Sequence, residues 1–90
     1  MKAIHVIVEG EVQGVGFRYS ALREARALGV GGWVRNADDG TVEVWAEGGE
    51  AALGEFLAWL KVGPSEAWVR EVKVSRESPK GIYVSFEIAF

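Results

Sequence analysis

The sequence predicts an α+β fold in which two helices cover one face of a mostly antiparallel sheet. Two observations carry the prediction: apolar residues alternate with polar ones in five segments, and they recur at helical spacing in two others. Along the chain these segments follow the order β-α-β-β-α-β with a further C-terminal strand. That order matches the ferredoxin-like, split βαβ arrangement, and we expect one domain over residues 1–90.

The first strand and the first helix are predicted from a change of period. Between residues 2 and 12 the inward-facing apolar residues share one parity: Ile4, Val6, Val8 and Val12. From Phe17 to Leu28 the spacing becomes helical. Gly29 is well placed to end that helix, because glycine adopts a left-handed conformation without a Cβ clash.

A β-hairpin is predicted to follow the first helix. A strand over residues 31–36 leads into the turn signal Asp38-Asp39-Gly40, and a strand over residues 41–47 alternates cleanly. We expect the even-numbered positions of the first strand and of this hairpin to face the helices.

The second half of the chain repeats the alternation of helix and strand. An apolar stripe predicts a second helix, which Gly63-Pro64 ends; its residues are Leu53, Phe56, Leu57 and Leu60. Two strands follow, joined by a turn at residues 78–81. The side chains expected to point inward from them are Val72 and Val74, then Val84, Phe86, Ile88 and Phe90.

The composition narrows the classes of function. The net charge of −3 and the absence of cysteine argue against a nucleic-acid partner, thiolate catalysis and cysteine-bound metal sites. No apolar run is long enough to span a bilayer, and the N-terminus lacks the apolar stretch of a secretory signal. We therefore expect a cytoplasmic monomer with no membrane partner.

Side-chain amides are scarce in this chain. Gln13 is its only glutamine and Asn36 its only asparagine, a depletion that is typical of heat-adapted proteins because these amides are thermolabile. Either chance in a short sequence or a specific task explains why these two residues are present.

The first segment that indicates chemistry runs from Gly10 to Arg18, where a strand meets a helix. Its glycines allow a sharp turn with exposed N–H groups, and a helix N-terminus adds unpaired donors and partial positive charge. Arg18 is an unfavourable cation in a first helical turn unless an anion lies nearby, and its guanidinium fork suits phosphate oxygens. The alternative is a tight strand-to-helix connection with a solvated arginine.

The second segment runs from Gly32 to Gly40 and contains Asn36 at the end of the second strand. An asparagine there is commonly a turn residue whose side chain bonds the local backbone. We expect the second strand to lie close to the first, however, so that Asn36 could face the glycine turn. A carboxamide accepts and donates hydrogen bonds at once, as the orientation of a nucleophile requires.

Together the two segments resemble the paired signatures of the acylphosphatase family. The pattern Gly-x-Val-Gln-Gly-Val-x-Phe-Arg is followed by Gly-Trp-Val-x-Asn-x-x-Asp-Gly, and the resemblance covers essentially the whole chain. It implies that Arg18 and Asn36 are catalytic. It also implies that phosphate is held by Arg18 and by the backbone N–H groups of the loop Gln13, Gly14, Val15, Gly16 and Phe17. Some members carry a hydroxyl residue after the asparagine, where this chain has Ala37.

The resemblance implies hydrolysis of acyl phosphates without a metal or cofactor. A water held by Asn36 would attack phosphorus in line, and inorganic phosphate would be both product and competitive inhibitor. No general base is evident: His5, the only histidine, is predicted to be an ordinary sheet-face residue. Since the leaving carboxylate needs no general acid, positioning and charge stabilisation suffice.

Two other interpretations remain open on the residues. A non-catalytic ferredoxin-like binding module, such as an RNA-recognition domain, would use exposed rings, for which Trp33, Trp45 and Tyr83 are candidates. The acidic pI argues against it. An acylphosphatase-like domain that acts on a carbamoyl phosphate within a larger enzyme is the other, and the short length of the chain argues against that.

Overall fold

The computed structural model describes all 90 residues and contains five strands and two helices. The elements run in the predicted order, and their bounds are β1 (Lys2–Glu11), α1 (Phe17–Leu28), β2 (Gly31–Asn36), β3 (Val42–Gly48), α2 (Glu50–Leu60), β4 (Trp68–Glu77) and β5 (Phe86–Ile88). None of the helices is long and apolar enough to cross a membrane.

The strands form one mixed sheet in the order β4-β1-β3-β2-β5. All neighbours are antiparallel except β2 and β5, which run parallel. The expectation that β2 lies close to β1 is wrong at the level of the sheet, because β3 lies between them and pairs with both. The hairpin folds back so that its second strand, and not its first, reaches β1.

The core lies between the sheet and the two helices, as the alternation predicts. The even-numbered residues of β1 and of the hairpin are buried there: Ile4, Val6, Val8, Val34, Val42, Val44 and Ala46. Helix α1 contributes Phe17, Ala21 and Ala25, and α2 contributes Leu53, Phe56 and Leu60. Both helices therefore cover the same face of the sheet, which confirms the predicted fold class.

Helix α1 ends where the sequence predicts. Gly29 adopts a left-handed conformation, with φ 73°, and its N–H donates to the carbonyls of the last turn. A residue with a Cβ would be strained in that conformation, so glycine both ends the helix and turns the chain towards β2.

The last two strands are not neighbours in the sheet, and the connection between them is longer than the predicted turn at residues 78–81. Strand β4 pairs with β1 at one edge of the sheet, whereas β5 pairs with β2 at the other. Val84 and Phe90, expected to point inward, are fully exposed at 102% and 103%, and Val74 is 43% exposed. Alternation identifies a strand but not its partner, and strands at opposite edges of a sheet require a connection that crosses it instead of a tight turn.

That crossing connection, residues 78–85, is held by a buried carboxylate of β3. Glu47 is only 4% exposed and accepts hydrogen bonds from the backbone N–H groups of Lys80 (2.7 Å) and Gly81 (3.1 Å). The same carboxylate accepts from the indole N–H of Trp45, at 2.7 Å. These three donors fix the start of the segment that leads to β5.

Candidate active site

The loop between β1 and α1 is shaped by two left-handed glycines. Gly14 has φ 75° and Gly16 has φ 77°, and Gly16 is the residue that caps α1. No side chain caps the helix, and its first turn contains no acidic residue. The N–H groups of this turn therefore remain available to a bound anion.

The loop is anchored by the residue that begins α1. Phe17 is buried at 1% exposure, and its ring lies 5.4 Å from the ring of Trp59 on α2. This contact fixes the direction of the helix N-terminus and, with it, the position of the next residue, Arg18.

Arg18 is partly buried and forms no ion pair with any carboxylate of the protein. Its guanidinium carbon lies 5.7 Å from the centre of the Phe90 ring. The charge of Arg18 is thus unpaired. It adds to the partial positive charge at the N-terminus of α1.

Asn36 ends β2 and carries a buried side-chain oxygen without a protein partner. No donor of the protein lies within hydrogen-bond distance of its Oδ1. Buried polar atoms of folded proteins are normally paired, so an oxygen without a protein partner is free to accept a hydrogen bond from a water or a ligand.

Arg18 and Asn36 line the same cavity, which has a volume of about 180 Å³. Gly14, Gly16 and Phe17 line it too, so the structure brings most of the predicted site residues together. Gln13 and Val15 are not among its lining residues. The remaining walls come from Val12, Tyr19, Ile88 and Phe90.

Although β3 separates the strands, the side chain of Gln13 ties the two predicted segments together. Its amide nitrogen donates to the backbone carbonyls of Ala37 (2.8 Å) and Thr41 (2.9 Å). Both carbonyls belong to the hairpin turn that follows Asn36. The sequence predicts a role only for the backbone N–H of Gln13 and not for its side chain, although its position as the only glutamine of the chain was a signal.

The carboxylate of Glu43 on β3 is paired on the open face of the sheet. Glu43 bonds His5 and Arg35, each at 2.6 Å. Burial would raise the pKa of Glu43, but these two hydrogen bonds outweigh it and hold the pKa below its ordinary value. His5 is thus a sheet-face residue, on the side away from the helices, as predicted.

Arg18 is the only charged residue that lines the cavity. The structure contains no cluster of three or more histidine, cysteine, aspartate or glutamate residues that could hold a metal ion. The arrangement therefore offers an anion a local positive site in a chain whose net charge is −3.

Comparison with known proteins identifies close relatives over nearly the whole chain. The family model for acylphosphatase matches residues 4–88. A curated acylphosphatase of Thermotoga maritima is 50% identical over 90 residues, which cover 100% of this chain and 99% of the relative. The crystal structure of an acylphosphatase from Bacillus subtilis matches with a TM-score of 0.96 and 40% identity, covering 100% of both chains.

A larger protein contains a similar unit. The crystal structure of full-length HypF, in its phosphate- and nucleotide-bound form, matches with a TM-score of 0.91 and 30% identity. The match covers 99% of this chain and 12% of HypF.

Proposed function

The chain belongs to the acylphosphatase family, and on that premise we propose that it hydrolyses acyl phosphates in the cavity between Arg18 and Asn36. The substrate is a small molecule with a carboxyl-phosphate bond, and the products are a carboxylate and inorganic phosphate. The observation that carries the proposal is the buried, unpartnered Oδ1 of Asn36, which lines the same cavity as the unpaired guanidinium of Arg18.

Asn36 orients the nucleophile. Its Oδ1 accepts a hydrogen bond from a water, which directs a lone pair of that water at phosphorus. As the water oxygen bonds to phosphorus, the bond from phosphorus to the acyl oxygen breaks, and the carboxylate leaves with that electron pair. The water's proton passes to a phosphate oxygen, so no side chain is needed as a general base.

Arg18 and the loop stabilise the charge on the transferred phosphoryl group. The guanidinium donates to the non-bridging oxygens, and the backbone N–H groups of residues 13–17 surround the same oxygens. Donors held in place before the reaction stabilise a transition state more strongly than mobile water does. The same contacts bind inorganic phosphate, which should therefore act as a competitive inhibitor.

A non-catalytic binding module is the second candidate, and one observation weighs against its RNA-binding form. The ring of Trp45 is not free to stack on a base, because its residue is 9% exposed and the ammonium of Lys80 lies 4.7 Å from the ring centre. Stacking platforms for single-stranded RNA require open aromatic faces.

The proposal is tested by hydrolysis of benzoyl phosphate in excess chelator, by the wild type and by Asn36→Ala. We expect turnover that the chelator leaves unchanged and that Asn36→Ala lowers by roughly 10²–10³ in kcat, the order seen for loss of one preorganised polar group. Asp38→Ala is the matched control, since Asp38 is an exposed residue of the neighbouring turn.

Absence of turnover in the folded wild type would overturn the enzyme proposal and favour a binding module. Near-normal turnover in Asn36→Ala would refute the role of Asn36 alone.

A further inference from the structure

The cavity has an apolar wall that the hydrolytic mechanism does not use. Ile88 and Phe90 come from the C-terminal segment, Tyr19 from the first turn of α1, and Val12 from the end of β1. Hydrolysis at phosphorus needs the loop, Arg18 and Asn36 only, so the wall is available to the other half of an acyl phosphate.

Phe90 is the outermost part of this wall. Its side chain is fully exposed, and its ring lies 5.7 Å from the guanidinium carbon of Arg18. The main chain just before Phe90 is tied to the sheet, because the N–H of Ala89 donates to the carbonyl of Val34 at 2.8 Å and so extends the pairing of β5 with β2. An exposed aromatic ring beside a binding cavity gains free energy when an apolar group covers it.

The distance between the Phe90 ring and the Arg18 guanidinium suits the short separation of the acyl group from the phosphate in the substrate. In an acyl phosphate a single bridging oxygen separates the acyl carbon from phosphorus. A phosphate bound to Arg18 therefore places the acyl group near side chains that lie beside Arg18, and the Phe90 ring, 5.7 Å from the guanidinium carbon, is one of them.

The charges around the cavity select the kind of acyl group. Arg18 is the only charged side chain in the lining, and the mechanism assigns it to the phosphate. No second cationic side chain lines the cavity to pair with a carboxylate on the acyl group, and no acidic side chain lines it to pair with an ammonium. A charged acyl group would lose hydration without gaining a partner.

We infer that the site prefers acyl phosphates with neutral, apolar acyl groups, aromatic ones above all, and that Phe90 determines this preference. The inference rests on the proposed function and adds the substrate class to it. The acyl group packs against the Phe90 ring with Ile88 and Tyr19 beside it, while the phosphate occupies the loop.

The test is the ratio of kcat/KM for benzoyl phosphate to kcat/KM for acetyl phosphate, compared among variants. A ratio between variants cancels the different intrinsic reactivities of the two substrates. We expect Phe90→Ala to lower this ratio by about tenfold, the scale of an apolar pocket contact. Phe90→Leu, which keeps apolar bulk, should lower it by only about threefold.

Val84→Ala is the matched control, because Val84 is a fully exposed apolar residue that lies outside this cavity. It should leave the ratio unchanged. Phe90→Ala should likewise lower the ratio of kcat/KM for benzoyl phosphate to kcat/KM for succinyl phosphate, whose acyl group carries a carboxylate and gains nothing from an apolar ring.

Two results would overturn the inference. An unchanged ratio in Phe90→Ala means that the ring does not contact the acyl group. Equal loss on both substrates, together with weaker inhibition by inorganic phosphate, means that Phe90 acts only through Arg18. Failure of the proposed function is distinguishable from both, because the wild type would then hydrolyse neither acyl phosphate.

Discussion

The side chain of Gln13 donates to the backbone carbonyl of Thr41 at 2.9 Å and so joins the loop before α1 to the turn after Asn36. The same amide nitrogen reaches the carbonyl of Ala37 at 2.8 Å. Because the loop holds the phosphate in the proposed mechanism and Asn36 the water, these hydrogen bonds fix the distance between the two reactants. In the proposed mechanism Gln13 would therefore act as a positioning residue for the in-line attack.

Gln13→Met removes both hydrogen bonds while it keeps the length of the side chain. We expect kcat to fall by roughly tenfold, since small displacements of reacting groups are costly, whereas inhibition by inorganic phosphate should change by less than about threefold. Steady-state kinetics with benzoyl phosphate measures both. Glu11→Met is the matched control on the exposed end of β1. A loss of phosphate binding without a loss of kcat would contradict the positioning role.

Arg18→Ala should weaken competitive inhibition by inorganic phosphate by about tenfold to a hundredfold, the value of a charged hydrogen-bond donor. Arg18→Lys should also be impaired, because a point charge does not reproduce the two-pronged guanidinium. Arg76→Lys, at an exposed position of β4, is the control. Inhibition that both Arg18 variants leave unchanged would place the phosphate elsewhere.

Glu47→Gln should destabilise the fold by about 1–3 kcal/mol at pH 7, because an amide has one acceptor oxygen and its NH₂ would face N–H donors. Urea unfolding measures this. The control is Glu55→Gln, an exposed residue of α2 without a hydrogen bond.

The stability effect of Glu47→Gln should also depend on pH. Burial would raise the pKa of Glu47, but hydrogen bonds from Lys80, Trp45 and Gly81 outweigh it and lower the pKa below its ordinary value of 4.5. A lowered pKa contributes stability that is present above pH 4.5 and is lost as the pH falls through the folded-state pKa. The stability difference between wild type and Glu47→Gln should therefore shrink at acid pH. A difference that is equal at pH 7 and pH 3 would refute this account.

Gly54→Ala should stabilise the protein by about 0.5–1 kcal/mol, because alanine favours helix and the added Cβ at this exposed position of α2 meets no atom within 4 Å. Gly16→Ala also has open space, but it should cost about 1–2 kcal/mol because φ there is 77°. Urea unfolding measures the change in the free energy of unfolding for each variant. The two changes should have opposite signs if backbone conformation, and not the space for a Cβ, determines the effect of the substitution. A destabilising Gly54→Ala would contradict the comparison.

The local elements of the fold were predictable because each depends on a short stretch of chain. The bounds of α1, from Phe17 to Leu28, follow from helical spacing and from Gly29, which ends the helix through its own conformation. The burial of Val42, Val44 and Ala46 follows from alternation in one strand. Patterns of this kind record which face is apolar, and burial follows directly.

The pairing of the last strands was not predictable in this way. Val84 and Phe90 share the parity of Phe86 and Ile88, yet only Phe86 is fully buried. The strand β5 is three residues long and pairs in parallel with β2, and its hydrogen bonds to β2 extend only to Ser85 and Ala89. Val84 and Phe90, one residue further out on each side, lie beyond that pairing and are fully exposed. Periodicity cannot indicate how soon a strand loses its partner.

By itself the sequence determined the order of elements, the apolar face of each and the two segments that contain Arg18 and Asn36. Only the tertiary structure decided that Gln13 bridges these segments, that Glu47 holds the crossing to β5, and that Phe90 lies beside Arg18. The physical reason is the separation in sequence between the residues that interact. A period or a turn signal depends on neighbours in sequence, whereas these three contacts join residues 24, 33 and 72 positions apart, for which one chain pattern allows many partners.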